Sequence, residues 1–327
     1  MMRRRDFIAL FGGAVTWPSA VRAQQASLPV IGSLSIGSAE PWAPLMEGFR
    51  KGLKEAGFVE GQNLRIEYRW AEGQPDRLPG LAAELIGQKV AVILANGGTV
   101  PAKVAKAATS TIPIVFISSA DPLRAGIVTS LNRPGGNVTG VSMLGSTLES
   151  KRLGLLHEVV PGPLPIGVLL DPQYPDAATE LGELQEAAGA LKRKIIVAYA
   201  GTVPEIDAAI ASLAQQGVGA LLIAQDPFFG SRRPQLVGLA SRYRLPAIYV
   251  EREFAKVGGL LSYGTDFAEA FHQAAIYVAK ILKGANPVDL PVIQPTRFEF
   301  VINLGTARQL GLEIPATILA RADEVIE

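Results

Sequence analysis

From Pro29 onward, short β-branched apolar runs alternate with longer stretches whose apolar positions recur at helical spacing. Pro29 to Ser35 (PVIGSLS) predicts a buried strand, and Leu45, Met46, Phe49 and Leu53 then share one face of a helix that stops at Gly57. The alternation continues with strands over Leu64 to Trp70, Ala91 to Ala95 and Ile114 to Ser118. Between them lie a helix carrying Leu78, Leu81, Leu85 and Ile86 and another over Thr99 to Ala108. Parallel strands cannot be joined by tight hairpins, so strand–helix–strand alternation predicts a parallel sheet with right-handed helical crossovers.

A Pro/Gly-rich break at Asn132-Arg133-Pro134-Gly135-Gly136-Asn137, followed by an apolar run from Val138 to Met143, marks a boundary. A second series then begins: strands over Ile166 to Leu170, Ile195 to Tyr199, Ala220 to Ala224 and Ala247 to Val250, with helices around Leu181–Leu191, Ile206–Leu213 and Gln235–Tyr243. The pattern predicts an α/β protein of two Rossmann-like lobes, each built on a parallel sheet buried on both faces. A strand at Leu260 to Tyr263 leads into a helix with the stripe Phe267, Phe271, Ala275, Val278 and Leu282; an extended linker at Pro287 to Pro295 precedes a last strand at Phe298 to Asn303. That late helix belongs naturally with the first half. The expected division is residues 24–141 plus about 266–286 in the N-terminal lobe, and 142–265 plus about 287–327 in the C-terminal lobe, joined by three crossovers that act as a hinge.

In open parallel sheets a ligand sits outside the carboxyl ends of the strands. That rule selects Ser35, Asn96, Thr99, Ser119 and Asp121 in the first half and Asp171, Tyr174, Gln225, Asp226, Phe228, Tyr249 and Tyr263 in the second. Trp42, just after the first strand, either covers the cleft mouth or packs at the start of its helix. Asn96-Gly97-Gly98-Thr99 offers backbone N–H groups to a carboxylate at a helix N-terminus; the alternative is that Thr99 is a plain N-cap. Asp121, Asp171 and Asp226 either cap turns and helices or receive a cationic group such as an ammonium. Tyr174, Phe228, Phe229 and Tyr249 either stack on a ring or serve as core and lid aromatics.

Catalytic motifs are missing. Ser35 lacks the first glycine of a nucleophile elbow, and no G-x-G-x-x-G, Walker loop or H-E-x-x-H is present. With no Cys and only His157 and His272, both placed on helices, neither a zinc site nor a bound cofactor is expected, and neither is catalysis. An exported hydrolase using Ser35 remains the enzymatic alternative, and a ligand-sensing partner of a membrane receptor is a third reading.

The chain has 327 residues, enough for two domains. Its first 23 residues read as an export signal: Arg3, Arg4 and Arg5, an apolar segment to Val15 too short to cross a bilayer, and Val21-Arg22-Ala23 before a cut near Gln24. Arg4-Arg5-Asp6-Phe7-Ile8 follows the twin-arginine pattern, with the general secretory route as the alternative. Either route predicts a periplasmic product, and without Cys it carries neither lipid anchor nor disulfide. Removing Arg3, Arg4, Arg5, Arg22 and Asp6 takes Lys+Arg from 31 to 27 and Asp+Glu from 30 to 29, a net charge near −2 with no basic run to neutralise phosphates. Nucleic acid is excluded as a partner.

Three stretches resemble the ABC transporter substrate-binding protein family that includes tryptophan- and tyrosine-binding receptors. They are Ile112-Pro113-Ile114-Val115-Phe116 through Asp121-Pro122, with Gly126-Ile127-Val128 and Arg133-Pro134-Gly135-Gly136-Asn137-Val138-Thr139-Gly140-Val141; Phe49 to Gly61 with Asn63-Leu64; and Phe300 to Ile314. The resemblance runs from Leu28 to Ile314 and implies a type I periplasmic binding fold. It also implies a small organic solute, an amino acid or aromatic carboxylate, held between the lobes and passed to a permease in the inner membrane. The binding positions it implies are Ser35, Asn96, Thr99, Asp121, Asp171, Gln225 and Asp226. One departure stands out: where relatives of the tryptophan receptors carry an Asn-Pro-Ser-Glu-like loop, this chain has Leu170-Asp171-Pro172-Gln173-Tyr174.

Overall fold

The structure, a computed structural model, describes residues 28–143, 148–174, 176–295 and 297–327; the expected export signal lies outside them. The first lobe contains β1 (Val30–Ser35), α1 (Ala39–Glu55), β2 (Arg65–Trp70), α2 (Leu78–Gly87), β3 (Val92–Asn96), α3 (Thr99–Ala108), β4 (Ile114–Ser118) and β5 (Val138–Ser142). Its five strands run in the order β2-β1-β3-β4-β5, and every pairing is parallel. β3, β4 and β5 are buried along their whole length, as continuous apolar runs predict for strands covered on both faces, whereas edge strand β2 is mostly half-exposed.

The second lobe comprises α4 (Glu149–Val159), β6 (Ile166–Leu170), α5 (Ala177–Ala190), β7 (Ile195–Tyr199), α6 (Val203–Gln215), β8 (Ala220–Ile223), α7 (Pro227–Ser231), α8 (Arg233–Arg242), β9 (Ala247–Tyr249), α9 (Arg252–Lys256) and β10 (Leu261–Thr265). α10 (Phe267–Leu282) returns to the first lobe, and β11 (Phe298–Asn303), α11 (Leu304–Leu310), α12 (Ala316–Leu319) and β12 (Glu324–Ile326) complete the second. Its sheet has seven strands, β12-β11-β10-β9-β8-β6-β7, with β10–β11 the antiparallel pair. Two expectations are corrected here. Phe298–Asn303 is not the last strand, because β12 pairs beyond it, and α4, which the hydrophobic pattern did not disclose, follows the first crossover.

The three crossovers lie side by side. The Thr265 hydroxyl donates to the Met143 carbonyl at 2.7 Å, tying the second passage to the first. The third was expected to be extended throughout; it instead makes one tight turn at Pro287–Asp289 and then pairs with β5, Ser142 N–H donating to the Ile293 carbonyl at 2.8 Å and Ile293 N–H to the Gly140 carbonyl at 2.9 Å. The fold is thus two Rossmann-like α/β lobes linked by three adjacent strands of chain.

α10 joins the first lobe through close backbone contact with α1. A Cβ added at Gly52 would stand 2.6 Å from the His272 carbonyl oxygen, and one at Gly48 would stand 2.8 Å from that of Ala268. Glycine one turn apart on α1 therefore lets the helices touch, while Phe49, Phe271, Ala275 and Val278 fill the seam. Gly52→Leu should destabilise the protein by about 1–3 kcal/mol through overpacking against backbone that cannot rotate away. Gly80→Ala, in α2 with open space around it, should instead gain about 0.5–1 kcal/mol. Urea unfolding midpoints of the two variants, moving in opposite directions, check both.

Candidate ligand-binding site

The carboxyl ends of the two sheets face each other, and the first lobe supplies tightly turned loops. The Asn96 side-chain amide donates to Ser33 Oγ at 3.1 Å, leaving its buried Oδ1 without a partner among the described residues. Buried Thr99 Oγ1 is likewise unpartnered; Gly98 occupies the N-cap position of α3, so Thr99 is the first helical residue rather than the cap. Gly97 (φ 89°) and Gly98 (φ 103°) adopt left-handed backbone, and a Cβ on Gly98 would stand 3.2 Å from Pro227 Cγ across the cleft. Glycine is required there by conformation and by approach of the second lobe. Ser35 Oγ accepts from Gly37 N–H at 3.2 Å and so serves its own turn.

Trp42 is nearly buried, its ring tilted against Phe271 at 5.9 Å. Together with Met143, Phe267 and Phe271 it forms the apolar wall of a chamber between the lobes, whose polar lining is Ser119, Gln225, Arg233 and Glu251. The lobes stand closed on each other, leaving about 20 Å³, room for roughly one water. Contacts across the cleft hold them: Asp121 N–H donates to Asp176 Oδ2 at 3.0 Å, Arg124 donates to Thr179 Oγ1 at 2.7 Å, and Arg233 reaches the Pro41 carbonyl at 3.4 Å. A solute larger than water can enter only if these contacts part. Arg233 escaped the sequence reading because Arg232-Arg233-Pro234 resembles an ordinary exposed helix start. Its guanidinium in fact lies 2.7 and 3.0 Å from Glu251 Oε2 and 5.9 Å from the Phe254 ring centre.

Beside this chamber the second lobe gathers carboxyl groups around one buried cation. Arg152 of α4 is fully buried and bonds both oxygens of Glu149, also fully buried, and donates to the Tyr263 carbonyl at 3.0 Å. Glu149 Oε1 in turn accepts from Gln225 N–H at 3.1 Å, while Gln225 Oε1 has no partner among the described residues. Asp226 caps α7 by accepting from Phe228 and Phe229 N–H at 2.5 and 3.2 Å; burial, then the charge of Asp171, push its carboxyl up to about 7. Asp171 accepts from Gln173 N–H at 2.8 Å, and burial raises it above the usual carboxylate range. Tyr174 and Glu180 are buried with the Tyr174 hydroxyl and both Glu180 carboxyl oxygens unpartnered among the described residues. Burial, followed by the charge of Glu149, pushes Glu180 up to about 10. Among the described residues no group of such side chains is arranged to hold a metal ion.

Trp42, Ser119 and Gln225 therefore meet at the chamber, with Asp171, Tyr174 and Asp226 in the adjoining acidic wall. The Asp121 carboxylate instead accepts from Leu123 and Arg124 N–H in its own turn, at 2.8 and 3.4 Å, and stands partly in solvent. Phe228 packs on Phe229 at 5.8 Å and under the Arg232 guanidinium, half-buried beside the chamber rather than lining it. The structure does not bring Tyr249 and Tyr263 to the chamber. Tyr249 stacks on Phe254 at 4.5 Å inside the second lobe's core, and Tyr263 stacks on Phe298 at 6.2 Å beside a surface depression lined by Lys151, Arg297 and Arg321. Neither histidine lines the chamber; His272 pairs with Glu55 at 2.6 Å.

A carboxyl held protonated in the fold and ionised when unfolded costs stability as pH rises. Glu180, raised from 4.5 to about 10, contributes no loss below its unfolded value and a growing loss from about pH 5 towards pH 10. Glu180→Gln, isosteric and uncharged, should gain of order 1–3 kcal/mol at pH 7 and show a flatter stability profile across that window. Denaturant unfolding at acidic, neutral and alkaline pH checks the sign.

Comparison with known proteins places this geometry. The chain matches the family described as ABC transporter substrate binding protein over residues 38–326. It is 28% identical over 267 residues to a tyrosine-binding protein of Clostridioides difficile, covering 82% of this chain and 76% of that one. A structure described as an ABC domain in complex with L-Trp from Streptococcus pneumonia superposes with a TM-score of 0.82 at 26% identity, covering 92% of this chain and all of the other. A ligand-free, open substrate-binding protein with adhesive properties from Clostridium difficile, at 25% identity and covering 91% and 99%, scores 0.66. With a match over nearly all the described residues and the same two-lobed fold, the chain belongs to the ABC transporter substrate-binding protein family and has the type I periplasmic binding fold.

Proposed function

We propose that this protein is the exported receptor of an ABC importer, capturing an amino acid or closely related zwitterion between its lobes and delivering it to a permease, with no chemistry performed on it. The observation that carries the reading is the set of buried, unpartnered polar atoms on facing strand ends: Asn96 Oδ1 and Thr99 Oγ1 in one lobe, Gln225 Oε1 and the Tyr174 hydroxyl in the other. Each such atom costs about 1–3 kcal/mol until a partner arrives, and a polar solute would supply partners to both lobes at once. The acidic wall suits an ammonium, Arg233 and the N–H groups of Gly97 and Thr99 suit a carboxylate, and Trp42, Phe267 and Phe271 suit an apolar or aromatic side chain.

Closure supports the same reading. The chain superposes better on an L-Trp complex than on an open, ligand-free relative of nearly equal identity, as expected of a trap whose two states differ by lobe rotation. A hydrolytic role for Ser35 gains no support, since its Oγ accepts from Gly37 N–H and no histidine lines the chamber.

Native mass spectrometry of the protein as purified should show a carried-over small solute, and small-angle scattering should show a radius of gyration that falls when that solute is restored to stripped protein. An unchanged radius at saturation would rule out the two-lobe trap. Arg233→Gln should weaken a carboxylate-bearing solute by about 2–5 kcal/mol, roughly thirty- to several-thousand-fold, by calorimetry. For the export route, replacing Arg4 and Arg5 together with Lys should stop appearance of the protein in the periplasmic fraction; normal export of that variant would assign the general secretory route.

A further inference from the structure

Glu180 is the least accommodated group in the described structure. It sits in the first turn of α5, fully buried, with neither carboxyl oxygen hydrogen-bonded among the described residues. Native proteins rarely leave such a group unsatisfied, so it marks a place where a partner belongs. The groups facing it are almost all acids. Glu149 and Arg152 come from α4, Asp226 from the start of α7, and Asp176 and Tyr174 from the loop before α5, with Asp171 at the end of β6 raising Asp226 in turn. Arg152 is engaged by both oxygens of Glu149 and by the Tyr263 carbonyl, and the Arg124 guanidinium of the first lobe stands 3.4 Å from Asp176 Oδ1. Glu149 and Asp176 thus each have a guanidinium, while Asp171, Asp226 and Glu180 form no ion pair among the described residues, and the wall carries more carboxyl groups than its guanidinium groups balance.

An additional cation would resolve that imbalance, and the uncovered acceptors say what kind. Two carboxyl oxygens and a phenol oxygen, close enough to influence one another electrostatically, offer several acceptors and suit the three N–H donors of a primary ammonium. A sugar hydroxyl or an amide would leave an ionised Glu180 without a counter-charge, and a carboxylate would repel it.

We propose that Glu180 and the Tyr174 hydroxyl form the subsite for the solute's primary ammonium, and that filling it drives a proton off Glu180 into solvent. The inference rests on the receptor reading above and assigns its cation partner to Glu180, which the strand-end rule did not select, together with Tyr174, which it did. The balance is simple: the Glu180 carboxyl O–H breaks, its proton goes to buffer, and the ammonium keeps its three hydrogens and pairs with the carboxylate left behind. Because the unliganded carboxyl stays protonated up to about pH 10 while the complex requires it ionised, binding takes up no proton and releases one. Affinity for an amine-bearing solute should therefore rise about tenfold per pH unit between about pH 6 and 8, reversing the usual expectation for a carboxylate site.

The test uses the common L-amino acids, L-tyrosine and L-tryptophan among them, each paired with its deaminated acid, against the mature protein by thermal shift and then calorimetry in buffers of different ionisation enthalpy. Expected are binding of an amino acid but not of its deaminated partner, release of about one proton per solute, and a positive pH slope. Glu180→Gln should abolish both the proton release and the slope while lowering affinity at least about tenfold at pH 8; Tyr174→Phe should lower affinity and keep the slope. Asp226→Asn tests the neighbour that titrates near pH 7 and should preserve the release. Proton release that persists in Glu180→Gln but vanishes in Asp226→Asn overturns the assignment. Equal binding of amino acid and deaminated acid, or binding of amine-free solutes only, also overturns it while leaving the receptor standing. If no solute binds and scattering stays unchanged, the receptor reading itself fails.

Discussion

A guanidinium buried without solvent contact governs the second lobe. Removing Arg152 and Glu149 from water is expensive, and the pair survives only because each remaining donor or acceptor finds strong partners: Gln225 N–H on the glutamate, the Tyr263 carbonyl on the arginine. Those partners belong to the end of β8 and to the middle of β10, so one ion pair on α4 fixes where two strands stand relative to the first crossover. It also consumes the Arg152 charge. The other carboxyl groups of the wall are then paired across the cleft, as Asp176 is with Arg124, capped by backbone N–H groups, as Asp171 and Asp226 are, or stay protonated, as Glu180 does. The chemistry of the cleft is downstream of this one choice.

The two walls of the cleft are made by different physics. On the first lobe the approach is steric: glycines with left-handed backbone at 97 and 98, and a Gly37 whose Cβ would fall 2.1 Å from the Trp42 indole nitrogen, bring backbone and ring close to the opposing lobe. On the second it is electrostatic, with acids held away from solvent. A site of this kind is less stable than an apolar seam of the same size, and that cost is the usual signature of a surface kept for recognition rather than for folding.

Much of this was legible from the residues. Strands buried on both faces announce themselves as unbroken apolar runs, and the observed β1, β3, β4 and β6 follow those runs within a residue or two. The strand-end rule led to Ser119 and Gln225, which line the chamber, because a loop at a strand's carboxyl end is placed by topology alone. α4 was not legible: its buried face carries Glu149 and Arg152 beside Leu153 and Leu156, so the apolar period that advertises a helix is broken by the residues the lobe depends on. Glu180 was hidden for the same reason, an acid where solvent exposure is the ordinary expectation. Tyr263 misled in the opposite sense, since β10 continues to Thr265 and leaves the ring in mid-strand.

The third crossover lies against β5, at the open margin of the first sheet, with Val292 and Ile293 bonded to Leu131 and Gly140. An unpaired margin of this kind is a template on which another molecule's backbone can add. Parting the lobes by peeling this segment away would bare such a template at every opening. Rotation that keeps residues 290–293 seated avoids that exposure. The same short pairing thus covers the margin of the first sheet at which another backbone could add.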